Sequence, residues 1–314
     1  MNRLKVALLS GGISSERDVS LKSGDQVFDV LDKTKYQIFR FDPKYDLGKL
    51  VADAEQIDVA LIILHGLHGE DGTIQGLLDL LNIPYQGTGV LGSALAMNKM
   101  VSKQIYEQAG LVTPPYQVFN KGEDINPDQI IRKLGLPVVV KPVKGGSSIG
   151  MSIVRSEEDL LSAVDIAFQH DDTVMAEKYI KGIEVTGSVL GNKEVITLPV
   201  VEIIPNEAYE FFDYSAKYTP GATNEICPAR LGEQLTERVQ ECAKLAHKVL
   251  YCNDYSRTDM IVDGEDVYVL ETNTIPGMTN TSLFPLAAKT AGIPFGKLLD
   301  KLIELCLERS KEKI

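Results

Sequence analysis

The sequence predicts an α/β protein whose first part is a Rossmann-like parallel sheet and whose remainder mixes strands with helices. Three observations carry that reading. Strand-like stretches at 6–9, 37–41 and 59–64 alternate with helical stretches, the pattern of a parallel sheet with crossover helices. Glycine clusters follow the first and third runs, at Gly11-Gly12 and from Gly66 to Gly72, where ligands bind in such sheets. Far along the chain, two β-rich runs flank Asp263-Gly264-Glu265-Asp266, a hairpin signal.

Taken in order, 6–9 is a buried strand, 20–31 a helix, 37–41 and 59–64 the next strands, and 72–81 a helix ended by Asn82-Ile83-Pro84. A second unit opens near Leu91 with a helix over 91–108, strands at 138–141 and 149–153, a helix at 157–168 and a strand at 174–179. A third starts near Gly182 with strands at 184–190 and 195–203, followed by an irregular stretch over 206–226. A helix over 235–250, a hairpin pairing 257–262 with 267–273 and a last helix at 295–309 complete it. Three units are therefore expected, at 1–95, 96–181 and 182–314.

The 314 residues include 44% hydrophobic and 24% charged side chains, ordinary for a globular protein, and can build a core without disulfides. A net charge of −12 removes general attraction to a phosphate backbone, so no nucleic-acid partner is expected. An anionic ligand must find a local basic pocket instead. The longest clean apolar run, 59–64, is too short to span a membrane. Without a secretory pattern at the start, a cytoplasmic location is the expectation. Four cysteines without CxxC spacing read as free thiols.

Three stretches carry chemistry. Lys141-Pro142-Val143-Lys144-Gly145-Gly146-Ser147-Ser148 joins two β-rich runs, and small residues there let backbone N–H groups approach phosphate oxygens. No helix-opening GKS or GKT follows, so it is not a Walker loop. In the hairpin, a loop over 263–267 sets Val262 against Tyr268 and Asp259 against Glu271, with Asn273 on the same face. Two carboxylates and an amide oxygen side by side call for a hard cation, Mg²⁺ or Mn²⁺. Glu177 at a strand end and Glu184 beyond it could serve an adenine amino group and a ribose, although a solvated charge pair fits the spacing equally well. His65 and His68 lack a third ligand for zinc. Gly11-Gly12 lacks the G-x-G-x-x-G spacing of a nicotinamide site.

Taken together, GGISSERDVSLKSG, HGLHGEDGTIQG, YQGTGVLGSALAMNK, VVVKPVKGGSSIGMS, EKYIKGIEVT, FFDYSAKYTPG, YSRTDM and LETNTIPGMT, in this order over nearly the whole chain, resemble the D-alanine–D-alanine ligase family of the ATP-grasp superfamily. The resemblance implies an ATP-grasp fold, ATP between the second and third units, two molecules of D-alanine as substrates, two Mg²⁺ (or Mn²⁺) ions, a possible monovalent cation and a homodimer. It implies that Glu16 pairs with the first substrate's ammonium group and that His65 lies beside its carboxylate. Lys99, Lys141, Ser147 and Ser148 would hold phosphates. Glu177, Lys178, Tyr179, Ile180 and Glu184 would line the adenosine site, with Phe211 and Leu270 against the base. Asp259, Glu271 and Asn273 match the metal ligands. Arg257 and the backbone of Gly277 would stabilise an oxyanion, and Ser282 and Leu283 would take the second carboxylate. Lys217 and Tyr218 would belong to a closing loop, with Tyr218 bonded to Ser147 and Ser147 to Glu16. Relatives that join D-alanine to D-lactate or D-serine, the alternative reading, usually differ at 218, so a tyrosine there implies formation of the D-alanine dipeptide. Asn98, where relatives often have aspartate, and Lys144-Gly145 are small departures.

Overall fold

A computed structural model describes residues 3–206 and 223–312. Among these, strands group into three sheets. The first takes β1 (Leu4–Ser10), β2 (Tyr36–Phe41) and β3 (Val59–Ile63), all parallel, in the order β2-β1-β3. Strand alternation divides its side chains between two cores. Val6, Leu8, Leu61 and Ile63 meet Leu298, Leu302 and Ile303 of the last helix, Phe295–Glu312. Ala7, Leu9, Ala60 and Ile62 meet Leu50, Ile74 and Leu78. Covered on both faces, the central run of β1 and all of β3 had to read as continuous apolar stretches, whereas the edge strand β2 carries Gln37 and Arg40.

The second sheet is antiparallel, from β4 (Tyr116–Asn120), β5 (Val138–Pro142), β6 (Ser152–Val154) and β7 (Thr173–Lys178), ordered β4-β7-β5-β6. Val138, Val140, Val174 and Ala176 face the helices Pro127–Leu134 and Leu160–Ala167. The alternate residues Val139, Lys141 and Glu177 face a cavity.

The third sheet takes β8 (Ile183–Leu190), β9 (Ile196–Thr197), β10 (Val201–Pro205), β11 (Thr223–Ile226), β12 (Tyr255–Asp263) and β13 (Asp266–Asn273), along the path β11-β10-β8-β12-β13 with β9 on β8. Val185, Val189, Met260, Val262, Val267 and Val269 pack on Val239, Ala243 and Ala246 of the helix Glu233–Val249. Gly187 permits that approach: a Cβ there would stand 2.6 Å from Ala243 Cβ.

Several sequence expectations are corrected. The helix expected over 91–108 is two, Val90–Met97 and Lys99–Gln108, because the Asn98 side chain accepts from Val101 N–H and caps the second. The strand expected over 195–203 splits into β9 and β10 around Pro199, which lacks a ladder donor. The strand expected at 149–153 starts only at Ser152, after the left-handed Gly150. The hairpin is tighter than expected: Asp263 pairs Asp266 around Gly264-Glu265, so Ile261, not Val262, faces Tyr268. A bulge at Leu270 then restores Asp259 opposite Glu271. The helices Leu47–Ala52, Pro127–Leu134 and Leu283–Thr290 and strand β4 were not anticipated.

His247, buried on the helix Glu233–Val249, has its pKa lowered from 6.5 to about 4 by burial. The unfolded chain therefore binds the extra proton first as pH falls. Stability from this residue is complete above 6.5, is lost on the way down to 4 and reaches about 3 kcal/mol at most. His247→Gln is predicted to flatten the fall of Tm between pH 6.5 and 4; an unchanged slope would contradict the assignment.

Candidate active site

The cavity faces of the second and third sheets enclose about 410 Å³, within the range of small-molecule sites. At one end Glu177 is nearly inaccessible, 3% exposed, which removes the solvated-pair alternative. Lys141 Nζ donates to its Oε1 at 3.0 Å, and Lys103 Nζ stands 2.5 Å from Oε2. Burial works against the Glu177 charge, but the two ammonium groups outweigh it and hold the carboxyl below the ordinary carboxylate range. Lys178, Tyr179, Ile180, Glu184 and Leu270 line the same space. Phe211, expected against the base, lies outside the described residues, as do Lys217 and Tyr218.

The loop between β5 and β6 closes the cavity's other wall. Ser147 and Ser148 both take left-handed backbones, φ 52° and 57°, a conformation that costs a non-glycine residue about 1–3 kcal/mol. Gly145 and Gly150 absorb similar turns, at φ 127° and 74°. Lys99 Nζ donates to Gly145 O at 2.7 Å and lies 3.2 Å from Glu271 Oε2. It thus joins the loop to the hairpin. Lys141, expected at phosphates, lines the same cavity and donates to Glu177.

On the hairpin, Asp259 pairs across from Glu271 and Arg257 across from Asn273. The bulge is what puts Glu271 and Asn273 on the cavity side. Without it they would share the face of Val267 and Val269, against the helix. The repulsion expected between the carboxylates is met by protein cations. Arg257 grips Asp259 through Nε and Nη2, both at 2.7 Å, Asn273 Nδ2 donates to Asp259 at 3.0 Å, and Lys99 serves Glu271. The donor set is oxygen-only, and Asp259 and Glu271 are brought together by the register, so it fits a hard divalent cation.

Where the first and second sheets meet, Ser147 Oγ donates to Glu16 Oε1. Glu16 is 5% exposed and packed against two glycines: a Cβ on Gly66 would stand 2.5 Å, and one on Gly146 2.9 Å, from Glu16 Oε2. His65, at the end of β3, holds Glu70 through Nδ1 at 3.3 Å, while its buried Nε2 has no partner among the described residues. Beneath, Arg17 pairs with Asp42, which accepts from Gly12 N–H at 3.0 Å. Burial opposes the Asp42 charge, but Arg17 and these N–H groups bring its carboxyl down to about 2. Gly277 and Ser282 are adjacent, with Ser282 Oγ accepting from Thr279 N–H at 3.1 Å. The Leu283 side chain is buried in the core, which leaves its backbone N–H, at the start of the helix Leu283–Thr290, as the group able to meet a carboxylate.

The family described as D-ala D-ala ligase C-terminus matches residues 105–304, and that described as D-ala D-ala ligase N-terminus matches 43–88. The chain belongs to the D-alanine–D-alanine ligase family. It is 63% identical over 306 residues to the D-alanine–D-alanine ligase of Syntrophobacter fumaroxidans, with 98% of each covered. A crystal structure of the Bacillus anthracis D-alanine–D-alanine ligase complexed with ATP superposes with a TM-score of 0.86 at 40% identity, over 99% of this chain and 100% of that one. The VanG D-Ala:D-Ser ligase of Enterococcus faecalis is more distant, 32% identical with a TM-score of 0.83, covering 97% of this chain and 100% of that one. The ATP-grasp fold expected for this family is the fold observed.

Sequence reasoning missed two charged groups. Lys103 lies one turn beyond Lys99, a spacing that could have flagged it. Arg230 forks onto the buried Glu202 at 2.6 and 3.0 Å on the cavity wall, and no local motif marks it. Gly66→Ala, at φ +70°, is predicted to lose roughly 1–3 kcal/mol of stability and to displace Glu16. Turnover should fall at least about tenfold; unaltered turnover in the folded variant would remove Glu16 from the site.

Proposed function

We propose that this chain joins two molecules of D-alanine, with ATP converted to ADP and phosphate, to supply D-alanyl-D-alanine for peptidoglycan. The observation that carries the proposal is the convergence of Lys99, the serine–glycine loop and the Asp259–Glu271 pair on one cavity, in a chain 63% identical to a ligase named for that reaction. The first D-alanine's carboxylate oxygen attacks the γ-phosphorus, the bond to the β-phosphate oxygen breaks and ADP leaves. The second D-alanine's deprotonated amine then attacks the acyl carbon; the carbon–oxygen bond to phosphate breaks, the amine loses a proton and phosphate departs.

Roles for individual residues follow the chemistry of their surroundings. Glu16, held by Ser147, pairs with the first ammonium group, and the open Nε2 of His65 meets the neighbouring carboxylate. Lys99, Lys141 and the backbone around Ser147-Ser148 hold phosphates, while Glu177 to Ile180, Glu184 and Leu270 take adenosine. Asp259, Glu271 and Asn273 would hold two Mg²⁺ or Mn²⁺ ions, which neutralise charge on transferring phosphates when bound. Arg257 and Gly277 N–H face the oxyanion. Ser282 and the N–H of Leu283 hold the acceptor's carboxylate. Water competes with the amine for the acylphosphate, which is the chemical reason a closing loop is expected at Lys217 and Tyr218, outside the described residues. A homodimer, a cytoplasmic location and a monovalent-cation requirement belong to the same reading; among the described residues no helix is long and apolar enough to cross a membrane.

The test is phosphate release in the presence of ATP, Mg²⁺ and D-alanine, together with identification of the product; a strict requirement for a different acceptor would refute the substrate assignment. Glu271→Gln is predicted to lower turnover roughly 100-fold or more with the fold intact by circular dichroism. Wild-type rates in that variant would refute the metal assignment.

A further inference from the structure

We propose that Lys103 is a positioning residue for nucleobase recognition: it holds Glu177 in place as an acceptor, so that the cleft prefers a purine with an amino group at C6 to one with an oxygen there. The inference rests on the reading that the cleft takes ATP. Lys99 and Lys103 lie four residues apart on the helix Lys99–Gln108 and share a face. Lys99 reaches the phosphate loop and Glu271. Lys103 reaches the opposite end, with its ammonium between Glu177 Oε2 at 2.5 Å and the Tyr116 ring at 5.5 Å from the centroid. Tyr116 and Glu177 are themselves cross-strand partners on β4 and β7.

Neutralisation alone does not explain the second lysine. Lys141 already pairs with Glu177, and Lys103, fully buried, adds a second ammonium where burial works against its charge. An apolar side chain of the same volume would suit packing better. What the second ammonium adds is geometry: each carboxylate oxygen is fixed by its own cation, and Glu177 cannot swing toward Lys141. Lys141 and Lys103 each take one carboxylate oxygen, and Glu177 stands on the cavity wall. An ionised carboxylate only accepts. With about four lone-pair sites, the carboxylate has acceptor capacity beyond its two lysines, so an exocyclic amine can donate to it, whereas a carbonyl oxygen at the same position would oppose it.

The experiment measures kcat and KM for ATP and GTP, with D-alanine and Mg²⁺, in the unaltered protein and in Lys103→Met, with Tm recorded for both. The expected result is a KM for ATP raised roughly 10- to 100-fold, the scale of one charge-assisted hydrogen bond, with kcat within about threefold and the preference for ATP over GTP reduced by the same factor. A lower Tm with that preference unchanged would show a structural role only and overturn the proposal. Purine riboside triphosphate, which lacks the 6-amino group, gives a reading on the unaltered protein that does not depend on the variant folding. A KM equal to that for ATP would overturn the proposal, and a KM at least about tenfold higher supports it. An unaltered protein without ATP-dependent dipeptide formation would instead refute the underlying functional reading.

Discussion

Three carboxylates around one cleft, Glu177, Asp259 and Glu271, have to be neutralised before that cleft can exist. Each would resist burial alone, and each is met by a cation that the fold delivers: Lys103 and Lys141 to Glu177, Arg257 to Asp259, Lys99 to Glu271. Two of the four cations, Lys99 and Lys103, ride on one helix that leads from the first sheet into the second. That helix also packs Tyr106 into the third sheet, where its hydroxyl donates to Thr272 Oγ1 at 2.7 Å. Displacing it would take Lys99 from Glu271 and leave Glu177 with Lys141 alone, so the site's electrostatics and the mutual packing of the sheets are one constraint.

The protein's overall charge of −12 makes this local arrangement necessary. A triphosphate would be repelled by the average surface and must be held by fixed donors in a small volume. Strand alternation supplies the separation. On β5 and β7, Val138, Val140, Val174 and Ala176 go to the helix side, while Lys141 and Glu177 go to the cleft. The same two-residue period on β12 sends Met260 and Val262 to the helix Glu233–Val249 and keeps Arg257 and Asp259 on the other face.

That period made much of the site legible in the sequence, and its interruptions set the limits. The parallel strands of the first sheet stood out because both faces are apolar. The pairing of Asp259 with Glu271 was also readable, yet through two compensating errors: the turn is shorter than the spacing suggested, and the Leu270 bulge adds back the missing residue. A bulge leaves no signature in a pattern of apolar and polar letters when the inserted residue is itself a leucine. Asn98 ends one helix and caps the next through a side-chain bond that helix periodicity does not register. Lys103 and Arg230 were missed because their partners are distant in the chain, and a buried lysine is indistinguishable from a solvated one in the sequence.

The serine–glycine loop shows how such a site is held ready without being rigid throughout. Left-handed backbones at Ser147 and Ser148 are unfavourable in isolation, and something must hold them. Lys99 donates to Gly145 O at the start of the turn, and Ser147 donates to Glu16 on the first sheet. Both anchors are groups with work at the site in the proposed reaction: Glu16 for the first ammonium group, Lys99 for phosphate. A ligand that draws either one away loosens the loop, and a ligand that satisfies both tightens it. In the proposed reaction, loop conformation and site occupancy would be linked through the same two side chains, so that the first D-alanine at Glu16 and the nucleotide at Lys99 would act on one segment of backbone between them.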